Sequence, residues 1–209
     1  MINSWLKRAM ENLFKKSEEK ENFKKARQEW LYKGLEDNQY CEAECELCNH
    51  EEIRYEYIIV NSLNNNLMVV GSECIKKFTD DFKTDFYDIE GNLVNEKRLT
   101  KDKNEYFKKI LSEALDKRLA NSNNAFYKSI AEQIKKDGKL TPNQLKSLHN
   151  FYPTLEEMGR RAFKSVVTVS LKKEREQEQI AKLSQNELEF VSQFMSSQQR
   201  KRFGISLIK

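Results

Sequence analysis

The sequence predicts a mainly α-helical protein with one small, cysteine-stapled β-hairpin module and an α-helical C-terminal bundle. Three observations lead there. Gly and Pro are rare, six and two among 209 residues, which favours long helices over a many-stranded sandwich. Apolar residues recur at helical spacing through most of the chain. All four cysteines fall between Cys41 and Cys74, around the one stretch that alternates as a strand does.

Residues 1–36 read as an N-terminal amphipathic helix or helix pair. Trp5, Leu6, Met10, Leu13 and Phe14 follow helical spacing, and Phe23, Ala26, Trp30 and Leu31 continue it. The polar run "KKSEEKEN" is the place for a break, and Gly34 is the expected stop. Residues 37–80 form the β-hairpin module. In "EIRYEYIIV", Ile53, Tyr55, Tyr57 and Ile59 share one face of a strand. "NSLNNN" supplies a turn, because Asn tolerates left-handed backbone. "LMVV" returns, Gly71 and Ser72 stop it, and Ser72 is placed to cap a short helix, "ECIKKF".

Residues 81–100 read as a connector with a turn at Gly91–Asn92, joining two domains or carrying a small hairpin. Residues 101–209 read as a helical domain, with apolar stripes over Tyr106–Leu119, Phe126–Ile134 and Met158–Leu171. "LTPNQLKSL" and "LSQNELEFV" share the pattern L-[TS]-x-N-[QE]-L-x-x-[LV]. Its physical content is a capping box, Thr141 with Gln144 and Ser184 with Glu187. Two helix starts built alike and a true duplication both fit. Thr154 with Glu157 offers a further box.

No apolar run approaches the roughly 20 residues that span a bilayer. "MINSWLKRAMENLFKK" has no uninterrupted apolar core, so no signal peptide is expected. A cytoplasmic, reducing setting follows, where clustered cysteines hold metal more often than they form disulfides. Charge is unevenly placed. Residues 37–74 carry only Arg54 against eight acids, whereas residues 75–209 carry 27 basic and 19 acidic groups.

Cys45-Glu-Leu-Cys48 has the spacing that wraps one tetrahedral ion while the chain turns. Asn49 occupies the turn position and accepts positive φ. A hairpin then returns the chain so that Cys74 arrives at a helix start, where the dipole favours a thiolate. Knuckle, hairpin and helix outline a treble-clef or zinc-ribbon-like module holding Zn²⁺. Cys41 is the favoured fourth ligand, because His50 must fold back tightly beside Cys48. His50 is the alternative, and ordinary reduced cysteines are the plain reading. A thioredoxin-like redox motif lacks its βαβ surroundings.

The module resembles zinc-knuckle segments of uncharacterised phage and plasmid proteins. The matching residues are Cys45, Leu47, Cys48, Ile53, Arg54, Tyr55, Val70, Gly71 and Cys74, with Ser72 standing where some relatives have a ligating cysteine. "LTPNQLKSL" is similar to a helical element of such proteins. The resemblance implies a mobile-element setting and no single activity.

Nucleic-acid readers need Lys and Arg for phosphates, and the acidic module lacks them. The expected contacts lie on the basic helices: Arg160, Arg161, Lys164, Lys172, Lys173, Arg200, Lys201 and Arg202. The expected partner is therefore nucleic acid. The alternative is a host or defence protein complex, on which the chain docks as an inhibitor or adaptor. No membrane partner is expected. No Walker, GxSxG, HExxH or Rossmann pattern occurs, so no enzyme is expected. Asp80, Asp81, Asp85, Asp88 and Glu90 make a loop-borne acidic group with a weak claim to Mg²⁺.

Overall fold

The computed structural model describes residues 4–38, 40–79 and 85–205. Among these, ten α-helices combine with small, mostly antiparallel sheets, so the class is mixed α/β rather than mainly α. The chain divides into two compact units, Met1–Lys103 and Asn104–Lys209.

In the first unit, α1 (Ser4–Lys16) buries Ala9 and Leu13. Residues 17–21 then turn around two carboxylates, Glu19, which accepts from Glu21 N and Asn22 N, and Glu29. Glu29 accepts the backbone N–H groups of Glu18 and Glu19, both at 2.7 Å, and the amide of Asn61 at 2.6 Å. Asn22 caps α2 (Phe23–Gln28) by accepting from Lys25 N.

The helix or helix pair expected over residues 1–36 is corrected at this point. Trp30 and Leu31 open a strand, β1 (Trp30–Asp37), and Gly34 lies inside it, opposite Ile58, where the register shifts. The reason is cross-chain pairing. β1 lies antiparallel to β4 (Tyr55–Asn61), from Trp30↔Asn61 to Asp37↔Tyr55, and this satisfies the strand's backbone groups along its length. Trp30 and Tyr32 are then buried on one face, with the Trp30 indole donating to Ser17 Oγ at 2.8 Å.

Between them, β2 (Ala43–Cys45) and β3 (His50–Ile53) form a second small ladder. The expected hairpin is present from Tyr55 onward, β4 turning into β5 (Leu67–Val70) with Tyr57 and Ile59 buried, but the expected strand is broken at Arg54 and Ile53 belongs to β3, paired with Ala43. The asparagines of its turn act beyond the turn itself. Asn64 and Asn66 donate to Lys16 O at 3.0 and 2.9 Å, which caps the C-terminal end of α1.

After α3 (Ser72–Thr79), residues 85–95 return as a small hairpin on the outer edge of β1. Tyr32 N donates to Tyr87 O at 2.9 Å, and Val94 N to Phe86 O at 2.7 Å. The Asp88 carboxylate holds its turn, accepting from Glu90 N and Asn92 N, and pairs with Arg98 at 3.4 Å. α4 (Glu96–Leu119) begins in this unit and continues in the next.

The second unit is helical apart from a two-residue parallel ladder. α5 (Ala125–Asp137) ends on Gly138, whose φ of 66° makes a left-handed helix stop. β6 (Lys139–Leu140) leads into α6 (Pro142–Ser147). After a 3₁₀ turn at Tyr152–Thr154 come α7 (Glu157–Val166) and β7 (Thr168–Val169), which pairs with β6. The apolar stripe expected to reach Leu171 therefore leaves the helix at Val167.

α8 (Glu174–Ala181), α9 (Gln185–Ser192) and α10 (Ser197–Arg202) complete the unit. Capping boxes form at Thr141–Gln144 and Ser184–Glu187, as expected, and also at Ser196–Gln199. The expected Thr154–Glu157 box does not form. The Thr154 hydroxyl donates to Phe151 O at 2.7 Å, and Glu156 takes the cap position.

Beyond those nine residues, two arginines play matching parts. Arg160 donates to Leu155 O at 2.7 Å and Arg200 to Met195 O at 2.5 Å, each reaching back five residues at the start of the next helix. A core of edge-on and tilted rings joins the two halves: Phe163 lies 5.3 Å from Phe194, and Tyr152 lies 5.6 Å from Phe190. Among the described residues, no helix is long and apolar enough to cross a membrane.

One ion pair in the first unit is deeply placed. Arg54 grips Asp37 with Nε–Oδ1 at 3.0 Å and Nη2–Oδ2 at 3.1 Å, and the Asp37 side chain has 0% exposure. Truncating one partner leaves the other charge buried and uncompensated. Asp37→Ala is therefore expected to destabilise the first unit by roughly 3–5 kcal/mol, read as a drop in the denaturant midpoint.

Candidate metal centre

The centre is assembled from a knuckle, a strand end and a helix start. Cys45 closes β2, and its carbonyl accepts Cys48 N at 3.2 Å and Asn49 N at 2.8 Å. Asn49 has the positive φ (58°) that its place in the knuckle suggested. Glu46 ties this turn to β5: its N–H donates to Val69 O at 2.9 Å, and its carboxylate accepts Val69 N at 2.6 Å. Leu47, fully buried, anchors the turn to the core.

The other side comes from α3. Cys74 N and Ile75 N both donate to Gly71 O at 3.0 Å, which winds the first helical turn under the knuckle. Gly71 N donates to Cys45 Sγ at 3.3 Å. A β-carbon at Gly71 would meet Ile53 Cγ2 at 3.2 Å, so the glycine allows this close crossing. The sulfurs of Cys45, Cys48 and Cys74 all lie within 4.8 Å of one another, and Cys45 and Cys74 are buried. No disulfide links them.

α1 completes the surroundings. The Trp5 indole donates to Cys74 Sγ at 3.2 Å, Asn12 donates to Leu47 O and to Asn49 Oδ1, and Lys16 pairs with Glu46 at 2.5 Å. The sequence did not reveal these three residues as supports. Trp5 carries an apolar-stripe signal, and its thiol partner is 69 residues away.

The electrostatics fit a cation. The hydrogen bond from Cys74, together with the N–H groups of Gly71, Cys48 and Leu47, pulls the Cys45 thiol down to about 5 against the opposing effect of burial. The hydrogen bond that Cys74 gives to Cys45 raises the Cys74 thiol, and burial adds to the rise. Burial is also the largest influence raising Cys48. The trio thus loses one proton readily and resists losing the next, because a second thiolate enters the same poorly solvated space. A bound cation removes that resistance. Three thiolates at these separations suit a soft or borderline ion.

The four cysteines expected as ligands do not all meet. Cys41 stands outside the three-sulfur group. It is half-buried, its N–H donates to Asn38 O at 3.1 Å, and it lies near Tyr55. His50 opens β3 opposite Cys45 and is exposed. It lines a groove of about 730 Å³ together with the three clustered cysteines, Trp5 and Tyr55. Asp80 and Asp81 of the acidic group lie outside the described residues, and Asp88 is engaged in its turn and with Arg98.

The basic residues expected at a nucleic acid are divided in role. Arg160 and Arg200 are turned onto backbone carbonyls. Arg202 donates to Gln177 Oε1 at 3.1 Å and lies over the Phe203 ring. Arg161 is half-buried, and Lys164, Lys172, Lys173 and Lys201 are exposed. Lys164 and Arg202 line one groove of the second unit. His149 packs edge-on against Phe190 at 5.1 Å.

No family model, curated protein or solved structure matches the chain.

Two outcomes follow from this geometry. Trp5→Phe keeps the ring and removes the donor to Cys74, and it is expected to weaken metal binding about tenfold, read by competition with a chromogenic chelator. The second concerns pH. Folding holds the Cys45 thiol at about 5, below its ordinary value of 9.0. Its stabilising contribution is complete above the unfolded value and is lost as the pH falls through about 5. Denaturation midpoints of the metal-free chain are expected to decline across that window, and Cys45→Ser to flatten the decline.

Proposed function

We propose that this chain is a zinc-stapled, non-enzymatic binding protein that holds nucleic acid through the basic surface of residues 104–209. The observation that carries the metal half is the convergence of three sulfurs from two segments 26 residues apart, Cys45–Cys48 and Gly71–Cys74. Zinc fits this donor set because it accepts thiolates in a compact tetrahedral shell. When bound, it supplies a cross-link and positive charge. Cys45, Cys48 and Cys74 hold it, Gly71 N–H and the Trp5 indole steady two of the sulfurs, and Leu47 keeps water from one side. A small ladder such as β2–β3 gains most from such a staple, because it buries little apolar surface alone.

The nucleic-acid half rests on charge. Residues 104–209 carry 20 Lys and Arg against 12 Asp and Glu. Lys164, Lys172, Lys173 and Lys201 are the contacts we favour, since their side chains are exposed. Arg160 and Arg200 support the fold instead. The resemblance of the cysteine segment to phage and plasmid proteins supports a mobile-element setting in the cytoplasm.

A second reading has its own support. The single Arg among residues 37–74 is engaged with Asp37, which leaves the metal module an acidic surface suited to a basic protein partner. A salt titration separates the two. With random single- and double-stranded DNA, affinity is expected to fall steeply with salt, by roughly 0.7–0.9 log units per log unit of salt for each phosphate contact. Joint replacement of Lys164, Lys172, Lys173 and Lys201 is expected to flatten that slope. Absence of binding to DNA and RNA at low salt removes the nucleic-acid reading. Absence of stoichiometric zinc from protein prepared without chelators removes the metal reading.

A further inference from the structure

A closed tetrahedral zinc shell takes four donors, and Cys45, Cys48 and Cys74 provide three. We infer that His50 is the fourth ligand, through a ring nitrogen, and that Cys41 stays outside the metal shell; this step rests on the zinc reading above.

Strand pairing places His50. It sits directly opposite Cys45 across the β2–β3 ladder. Residues opposed in an antiparallel pair leave the sheet on the same face, with β-carbons about 4.5–5.5 Å apart. The imidazole therefore starts on the side from which the Cys45 sulfur leaves; its ring, like the Cys41 sulfur, stands outside the three-sulfur group, so ligation requires the His50 side chain to turn toward the sulfurs. The His50 backbone N–H also hydrogen-bonds the Cys48 sulfur. One residue is thus tied by its backbone to one ligand and set by its strand position beside another.

The surroundings narrow the choice of donor. The groove beside the cluster is lined by the three clustered cysteines, His50, Glu52 and Glu73 among its possible ligands, and Cys41 is not part of it. Glu73 pairs with Lys76 at 3.0 Å and its side chain is 83% exposed. Glu52 stands two residues farther along β3, with left-handed backbone (φ 57°) that departs from regular strand geometry. The Cys41 backbone N–H is bonded to Asn38 O, and its sulfur is outside the three-sulfur group.

Charge favours the same answer. Eight carboxylates crowd residues 37–74, and the only Arg there is committed to Asp37. A neutral imidazole leaves the metal shell one unit less negative than a fourth thiolate, so it adds no repulsion to an already acidic segment.

The test uses the full chain loaded with cobalt(II), whose visible absorption separates three-sulfur, one-nitrogen ligation from four-sulfur ligation, and the zinc form read by nitrogen-15 shifts of its two imidazoles. Cys41→Ser is expected to keep both the cobalt spectrum and the zinc stoichiometry. His50→Ala is expected to change the spectrum and to lower affinity at least about tenfold. Zinc is expected to shift the His50 ring nitrogens and leave those of His149 in place. If Cys41→Ser alters the spectrum, or His50→Ala leaves spectrum and affinity untouched, His50 is not the ligand. Cys48→Ser provides the distinction from the underlying zinc reading. Full metal affinity in Cys48→Ser, or no stoichiometric metal in the unaltered chain, removes the site itself, and His50 with it.

Discussion

Three sulfurs brought to within 4.8 Å of one another are the constraint around which the first unit is arranged. Knuckle and helix start lie far apart in the chain and meet only because β4 and β5 fold back between them. Gly71 sits where they cross, and its N–H donates to one of the sulfurs. Glu46 binds the knuckle to β5, and Lys16 and Asn12 bind it to α1. The ladder β2–β3 has little hydrophobic support apart from Cys45, Leu47 and Ile53, so polar ties and sulfur chemistry carry much of its definition.

The same unit solves a second problem with polar groups. Its first helix is short, and the chain must reverse before β1. Glu29 gathers two backbone N–H groups on one side and Asn61 on the other, while Asn64 and Asn66 receive the end of α1. The asparagine-rich loop is therefore both a turn and a cap. Of these bonds the one from Asn61 to Glu29 is buried, where a satisfied polar pair adds definition rather than cost.

The second unit shows how little sequence similarity a structural repeat needs. Six positions of a nine-residue pattern agree, and farther along Glu156 and Ser196 each stand at an N-cap, only Ser196 bonding through its side chain, each followed by an arginine that reaches back five residues. That recurrence reassigns Arg160 and Arg200 from surface charge to helix support. The basic character of the unit remains, carried by exposed lysines such as Lys164 and Lys201.

Local chemistry was legible in the linear chain. The β4–β5 hairpin, the positive φ at Asn49, the stop at Gly138 and the boxes at Thr141 and Ser184 each depend on residues within a few positions of one another, so composition and spacing alone determined them. The identity of three clustered thiols was legible for the same reason, since CxxC and a cysteine at a helix start announce themselves. Tertiary structure alone decided the rest. Trp30 and Leu31 satisfy helical and strand periodicity equally over so short a run, and only pairing with β4 makes them a strand. Trp5 became a hydrogen-bond donor to the Cys74 sulfur, and Cys41 an outsider to the cluster, because contacts across tens of residues depend on where backbones cross, which no local pattern encodes.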